Sequence, residues 1–224
     1  NGQQSYWRQA NPQTAPSPRL QARMAFDAAR GVVLLFGGYA GVDSLQQGPD
    51  SGETWTWNGI TWTEQHPDTS PPRRHGHAMA YDAARQEVVL FGGVDEQTGE
   101  VFNDTWAWNG TGWSLRQPFH RPSPRFGHCM AYDEVQRKVV LFGGAPMWSG
   151  GPQETWLWDG SDWTQVFPAL SPPLRWGHAM VYDAARQRTV LFGGWGGSSG
   201  LSDTWTWDGT TWHSEMPATA PPLR

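Results

Sequence analysis

Short apolar runs closed by glycine recur four times along the chain, each followed by tryptophans spaced two residues apart. The runs end in Leu-Phe-Gly-Gly at Leu35–Gly38, Leu90–Gly93, Leu141–Gly144 and Leu191–Gly194. The paired tryptophans are Trp55/Trp57, Trp106/Trp108, Trp156/Trp158 and Trp205/Trp207, and a further one closes each unit at Trp62, Trp113, Trp163 and Trp212. Alternation with period two puts both indoles of a pair on one face of a strand. The second unit shows the elements most clearly. Arg74–Asp82 predicts a first strand and Asp82–Gln86 a polar turn; Glu87–Gly93 predicts a second strand, β-branched and ended by glycines. A variable loop leads to a third strand at Asp104–Trp108. Asn109-Gly110 then predicts a tight hairpin with left-handed central residues, and a fourth strand surrounds Trp113. No stretch has helical periodicity.

The first glycines of the four runs, Gly37, Gly92, Gly143 and Gly193, lie 55, 51 and 50 residues apart. Repetition at this period means that each unit buries its apolar surface against its neighbours. Four antiparallel strands per unit predict an all-β fold, a β-propeller built of four-stranded blades. The expected blades cover 19–66, 73–118, 124–167 and 174–216, within one array spanning 1–224. Residues 1–16 align with the end of the first unit, Trp7 standing where Trp62 stands, and predict an orphan outer strand. An open array exposes its end blades, so closure is expected: a small ring, a longer propeller, or a homodimer completing a larger one.

Composition narrows the function. The net charge is −5 with a single lysine, Lys138, and no basic run, which argues against nucleic acid as a partner. No apolar run is long enough for membrane insertion. The one cysteine, Cys129, excludes an internal disulfide framework and reads as a small core residue. Tryptophan is the outlier at sixteen copies, and the twelve in repeat register are expected to wedge between blades.

The repeated Gly-His-Ala-Met-x-Tyr-Asp-Ala-Ala-Arg-Gln segment, the strand ending in Gly-Gly, and Asp-Thr-Trp-x-Trp-Asp-Gly-x-x-Trp together resemble the bacterial kelch repeat over nearly the whole chain. That resemblance implies a propeller that binds other molecules more often than it catalyses, with no cofactor, outside the cell or in the periplasm. Fold alone does not transfer function.

Positions that differ between repeats are the ones free to serve a ligand. The loop after each Gly-Gly and the passage between repeats vary, and both emerge on one face. Three tryptophans break the repeat there: Trp148, Trp176 and Trp195. With Phe126, His75 and Tyr39 they form a candidate aromatic rim, suited to a glycan or a protein segment, or else they simply fill the mouth of a central channel. His77, His128 and His178 share one repeated position, with Ala22 in the first unit; they are weak candidates for a metal and better explained as structural. Arg19, Arg74, Arg125 and Arg175 open the first strands, and Glu53, Asp104, Glu154 and Asp203 precede the third, so a row of ion pairs is expected. The reading is a non-catalytic binding module. The alternatives are a sugar-active propeller enzyme with its site at the channel mouth, or a purely architectural array.

Overall fold

The computed structural model describes residues 8–41, 47–146, 151–216 and Thr219. It is all-β, without a helix among those residues, and each repeat makes one four-stranded antiparallel sheet whose strands follow chain order. Sheet I holds β1 (Arg23–Asp27), β2 (Val32–Phe36), β3 (Thr54–Trp57) and β4 (Trp62–Gln65). Sheet II holds β5 (Ala78–Asp82), β6 (Glu87–Phe91), β7 (Thr105–Trp108) and β8 (Trp113–Arg116). Sheet III holds β9 (Cys129–Asp133), β10 (Lys138–Phe142), β11 (Thr155–Trp158) and β12 (Trp163–Val166). Sheet IV holds β13 (Ala179–Asp183), β14 (Arg188–Gly196), β15 (Ser199–Trp207) and β16 (Trp212–Glu215). Two smaller sheets come from the variable loops: Arg19–Leu20 with Tyr39–Gly41 and Gln47–Asp50, and Val94–Asp95 with Glu100–Val101. No sheet closes on itself.

Two turn types set the register, and neither is fully legible from composition. Between the first and second strands, the αL position is Gly31 in sheet I but Gln86, Arg137 and Gln187 elsewhere, at φ 55–57°. A side chain there carries strain. The Asp that opens the turn offsets it, as where Asp82 Oδ1 accepts from the amides of Ala84 and Arg85 and Oδ2 from the Arg85 guanidinium. Between the third and fourth strands a hairpin forms as expected, but as a four-residue connection in which only the glycine is left-handed. Asn109 instead accepts the Thr111 and Gly112 amides on its side chain, both at 3.0 Å, while Gly110 takes φ 101°. The Asn or Asp at this site is thus an Asx cap.

Along the edge where β1, β5, β9 and β13 lie, neighbouring sheets touch first strand to first strand: β1 to β5, β5 to β9, β9 to β13. A backbone chain stitches that edge, since Gly127 N donates to Gly76 O and Gly177 N to Gly127 O, each at 2.7 Å. The core lies between sheets, in three joints of one design. Leu34 and Phe36 of sheet I meet Met79, Val88, Leu90, Trp106, Trp108 and Trp113 of sheet II. Ala80, Val89 and Phe91 meet Met130, Val139, Leu141, Trp158 and Trp163; Val140, Phe142 and Leu157 meet Leu191, Trp207 and Trp212. Each closing tryptophan reaches back to the preceding sheet. Its Nε1–H donates to a buried threonine there, Trp113 to Thr54 (3.0 Å), Trp163 to Thr105 (2.9 Å) and Trp212 to Thr155 (2.9 Å). Its ring stands edge-on to a phenylalanine, Phe36, Phe91 or Phe142, with centroids 5.2–5.4 Å apart. A threonine hydroxyl buried in such a joint needs that donor. The sequence alone shows the tryptophans as core, but not this direction or partner.

Candidate functional site

The edge bearing the variable loops is built on four arginines, of which Arg74, Arg125 and Arg175 are buried and Arg19 half-buried. Arg74 meets Asp104 with both guanidinium nitrogens (2.6 and 2.9 Å), and Arg175 meets Asp203 likewise (2.6 and 2.7 Å). Where the partner is the longer Glu, contact is single: Arg19 to Glu53 at 2.5 Å and Arg125 to Glu154 at 2.6 Å. Arg19 and Arg125 then turn the spare donor to Ser17 and Ser123. All four also donate to the carbonyl of the first glycine of Gly-Gly, and the first tryptophan of each pair donates to the same carboxylate at 2.7–2.9 Å. Burial raises the Glu53 and Asp203 carboxyls, but the bonds from Arg19 and Trp55, and from Arg175 and Trp205, outweigh it and hold both below the usual range. These pairs tie the first strand of a sheet to its third. With every guanidinium nitrogen donating, they are framework rather than an anion site.

Immediately after each arginine comes the position at which the repeats differ: Leu20, His75, Phe126 and Trp176. Each lies opposite the first residue of the following variable loop. Leu20 pairs with Tyr39, while His75, Phe126 and Trp176 bridge to Val94, Ala145 and Trp195. How open the position is differs from sheet to sheet. Phe126 and His75 are buried, Tyr39 is half-buried with its ring edge-on to His75 at 5.0 Å, and Trp176 is half-buried. Trp195 is 45% exposed and tilted 45° to Trp176, their centroids 6.5 Å apart. The structure thus brings Trp176 and Trp195 together as a partly open pair and folds His75 and Phe126 inward; Trp148 lies outside the described residues. The Trp pair is held by reciprocal backbone bonds, Trp176 N to Trp195 O (3.1 Å) and Trp195 N to Trp176 O (2.8 Å). It is also held by the nine-residue strands β14 and β15, longer here than their counterparts.

His75 belongs to a polar cluster that sequence reading missed. Asp50, from the sheet I loop, accepts His75 Nδ1–H at 2.7 Å and the Glu96 amide at 2.7 Å, and Glu96 Oε2 stands 3.9 Å from His75 Nε2. Arg73 binds Asp95 alongside at 2.9 Å. Asp50 lies on a variable loop 25 residues before His75, so no repeat signal marks the pair. A polar recess of about 580 Å³ beside sheet I is lined by Arg19, Asp50, Glu53, Glu64 and His66, but its two most buried charges are already spent on Glu53 and His75.

The repeated histidines lie elsewhere, one in each joint. His77, His128 and His178 stand edge-on to Phe36, Phe91 and Phe142, and His128 Nε2–H donates to the Phe91 carbonyl at 3.1 Å. Burial foremost, then nearby arginines, push all three imidazoles down, His178 to about 3. They are neutral joint fillers, and among the described residues no three His, Cys, Asp or Glu side chains converge as metal ligands. Cys129 donates its S–H to the His178 carbonyl at 2.6 Å, and burial raises the thiol to about 11. Alkylation by iodoacetamide at pH 8 should therefore run roughly 100-fold slower in the folded chain than in urea, since only the thiolate reacts. Equal rates would contradict this placement.

No protein-family model matches the chain. Among curated proteins it is similar to Mei4-dependent protein 6 of Schizosaccharomyces pombe, at 27% identity over 163 residues, taking in 64% of this chain. The match spans 23% of that protein's length.

Proposed function

We propose that the four sheets are blades of a kelch-type β-propeller and that the chain is a non-catalytic recognition module, binding a glycan through the face that carries Trp176 and Trp195. The supporting observation is the tryptophan pair itself. Every described tryptophan in repeat register is buried or half-buried, whereas Trp195, off register, keeps 45% of its surface open on a hairpin. Backbone bonds on both sides fix where the exposed indole leaves the chain, so binding has only its two side-chain torsions left to order. Indole faces suit the flat C–H faces of sugars whose hydroxyls are equatorial. β-1,4-linked glucose and N-acetylglucosamine oligosaccharides are accordingly the first probes.

On an array of such oligosaccharides the native chain should bind, and Trp195→Ala should lose at least 10-fold in affinity with its thermal midpoint unchanged. Binding unaffected by Trp195→Ala would sink this reading. A protein or peptide ligand on the same face would show instead as binding to peptides with no response to any oligosaccharide.

A further inference from the structure

Three joints show what covers each side of a sheet, and the two ends of the array carry the unmatched halves of a fourth. On sheet IV, Phe192 and Thr204 occupy the places of Phe36, Phe91 and Phe142 and of Thr54, Thr105 and Thr155. Those six are buried; Phe192 and Thr204 are only half-buried. Val181, counterpart of Ala25, Ala80 and Ala131, is 64% exposed. On sheet I the opposite surface is open. Met24 is 60% exposed where Met79 and Met130 are buried, Phe26 is 58% exposed where Tyr81 and Tyr132 are half-buried, and Trp62 is half-buried where Trp113, Trp163 and Trp212 are covered. The turns match as well. Arg30, Arg85 and Gln136 lie over Gly110, Gly160 and Gly209 of the next sheet, whereas Arg186 is exposed and Gly59 has nothing near it.

We infer that a second copy of this chain fills both ends, sheet IV of each copy seating on sheet I of the other, so that two chains make one ring with two identical joints. The occupant follows from continuity with the internal joints. A donor indole (Trp62), an acceptor threonine (Thr204), an unpaired phenylalanine (Phe192) and a turn arginine (Arg186) are what the other half of the joint receives, and both halves reside on this chain. The new joint is more apolar than the internal ones, with Ala22 in the histidine position and Phe26 in the tyrosine position. Such a surface is the kind that monomers seldom leave open. Because the two halves differ, the contact is head-to-tail, and two copies make the smallest ring that leaves neither half unmatched.

Light scattering of the native chain should give twice the 25.0 kDa of one chain. Phe26→Glu and Val181→Glu change exposed side chains of sheets I and IV, which share one recess with the first strands of sheets II and III, so each should return 25.0 kDa with the far-ultraviolet dichroism of the native protein. Every joint uses one half of each kind, hence either substitution alone breaks both. A native chain that runs as a monomer, or as species larger than two chains, overturns the inference. So does a dimer that survives one of the two substitutions, the sign of a like-with-like contact through a single end.

Discussion

Lowering the pH from 7 to 5 is expected to strip the fold of stability, with a slope that steepens below about pH 6.5 toward about 4 kcal/mol per pH unit. In the unfolded chain His77, His128 and His178 take up protons near their ordinary value. In the folded chain burial, with Arg74, Arg125, Arg175 and Arg23 nearby, holds all three far lower, His178 at about 3. The unfolded state therefore binds three more protons across this window. The stability these groups confer is complete above the unfolded value and is lost as pH falls toward the folded one. The lowered carboxyls of Glu53, Asp95 and Asp203 act in the same direction, at lower pH. Against a total stability of order 5–15 kcal/mol, acid unfolding should set in well above pH 3. Urea melts at pH 7, 6 and 5 measure the slope, and His128→Gln should reduce it by about a third. A stability that is flat from pH 7 to 5 would show that the imidazoles are not sealed in the joints.

Trp163→Ala is expected to cost about 3–5 kcal/mol, the range for emptying a large aromatic site. Trp163 is fully buried between sheets II and III, edge-on to Phe91, and its indole N–H is the partner of the buried Thr105 hydroxyl. Removing it opens a cavity and strands that hydroxyl together, and the second effect adds to the first. Trp163→Phe restores part of the volume but no donor, so it should recover only a fraction of the loss. Chemical denaturation of the two variants separates packing from hydrogen bonding. Equal stability of Trp163→Ala and the native chain would mean that sheets II and III do not meet as described.

How far these features were legible follows from their periodicity. The sixteen principal strands, the interior role of the paired tryptophans and the arginine–carboxylate pairs repeat with the unit, and period-two alternation fixes which residues share a face. Arg74 and Asp104 could be matched because each begins its strand at the same edge. Features that depend on contacts between units were less accessible. That Trp163 reaches back to Thr105, rather than forward, requires knowing which face of a sheet meets which neighbour. Gln86, Arg137 and Gln187 hold a conformation their side chains disfavour, imposed by the turn around Asp82 and its counterparts, so residue preference pointed away from it. At the variable face one repeated position is closed at Phe126 and partly open at Trp176. The two positions face different loop residues, Ala145 and Trp195, which no repeat encodes. The Asp50–His75 pair joins a sheet I loop to sheet II and is invisible for the same reason.

We propose a division of labour in which tryptophans in register build the sheets and their joints, while Trp176 and Trp195 meet a ligand. A ¹⁵N-resolved spectrum of the indole N–H groups, recorded while β-1,4-linked glucose and N-acetylglucosamine oligosaccharides are titrated in, tests it most directly. The Trp176 and Trp195 signals should shift together, and those of Trp113, Trp163 and Trp212, bonded to Thr54, Thr105 and Thr155, should stay in place. Shifts confined to the joint tryptophans, or none with any of these sugars, would contradict it.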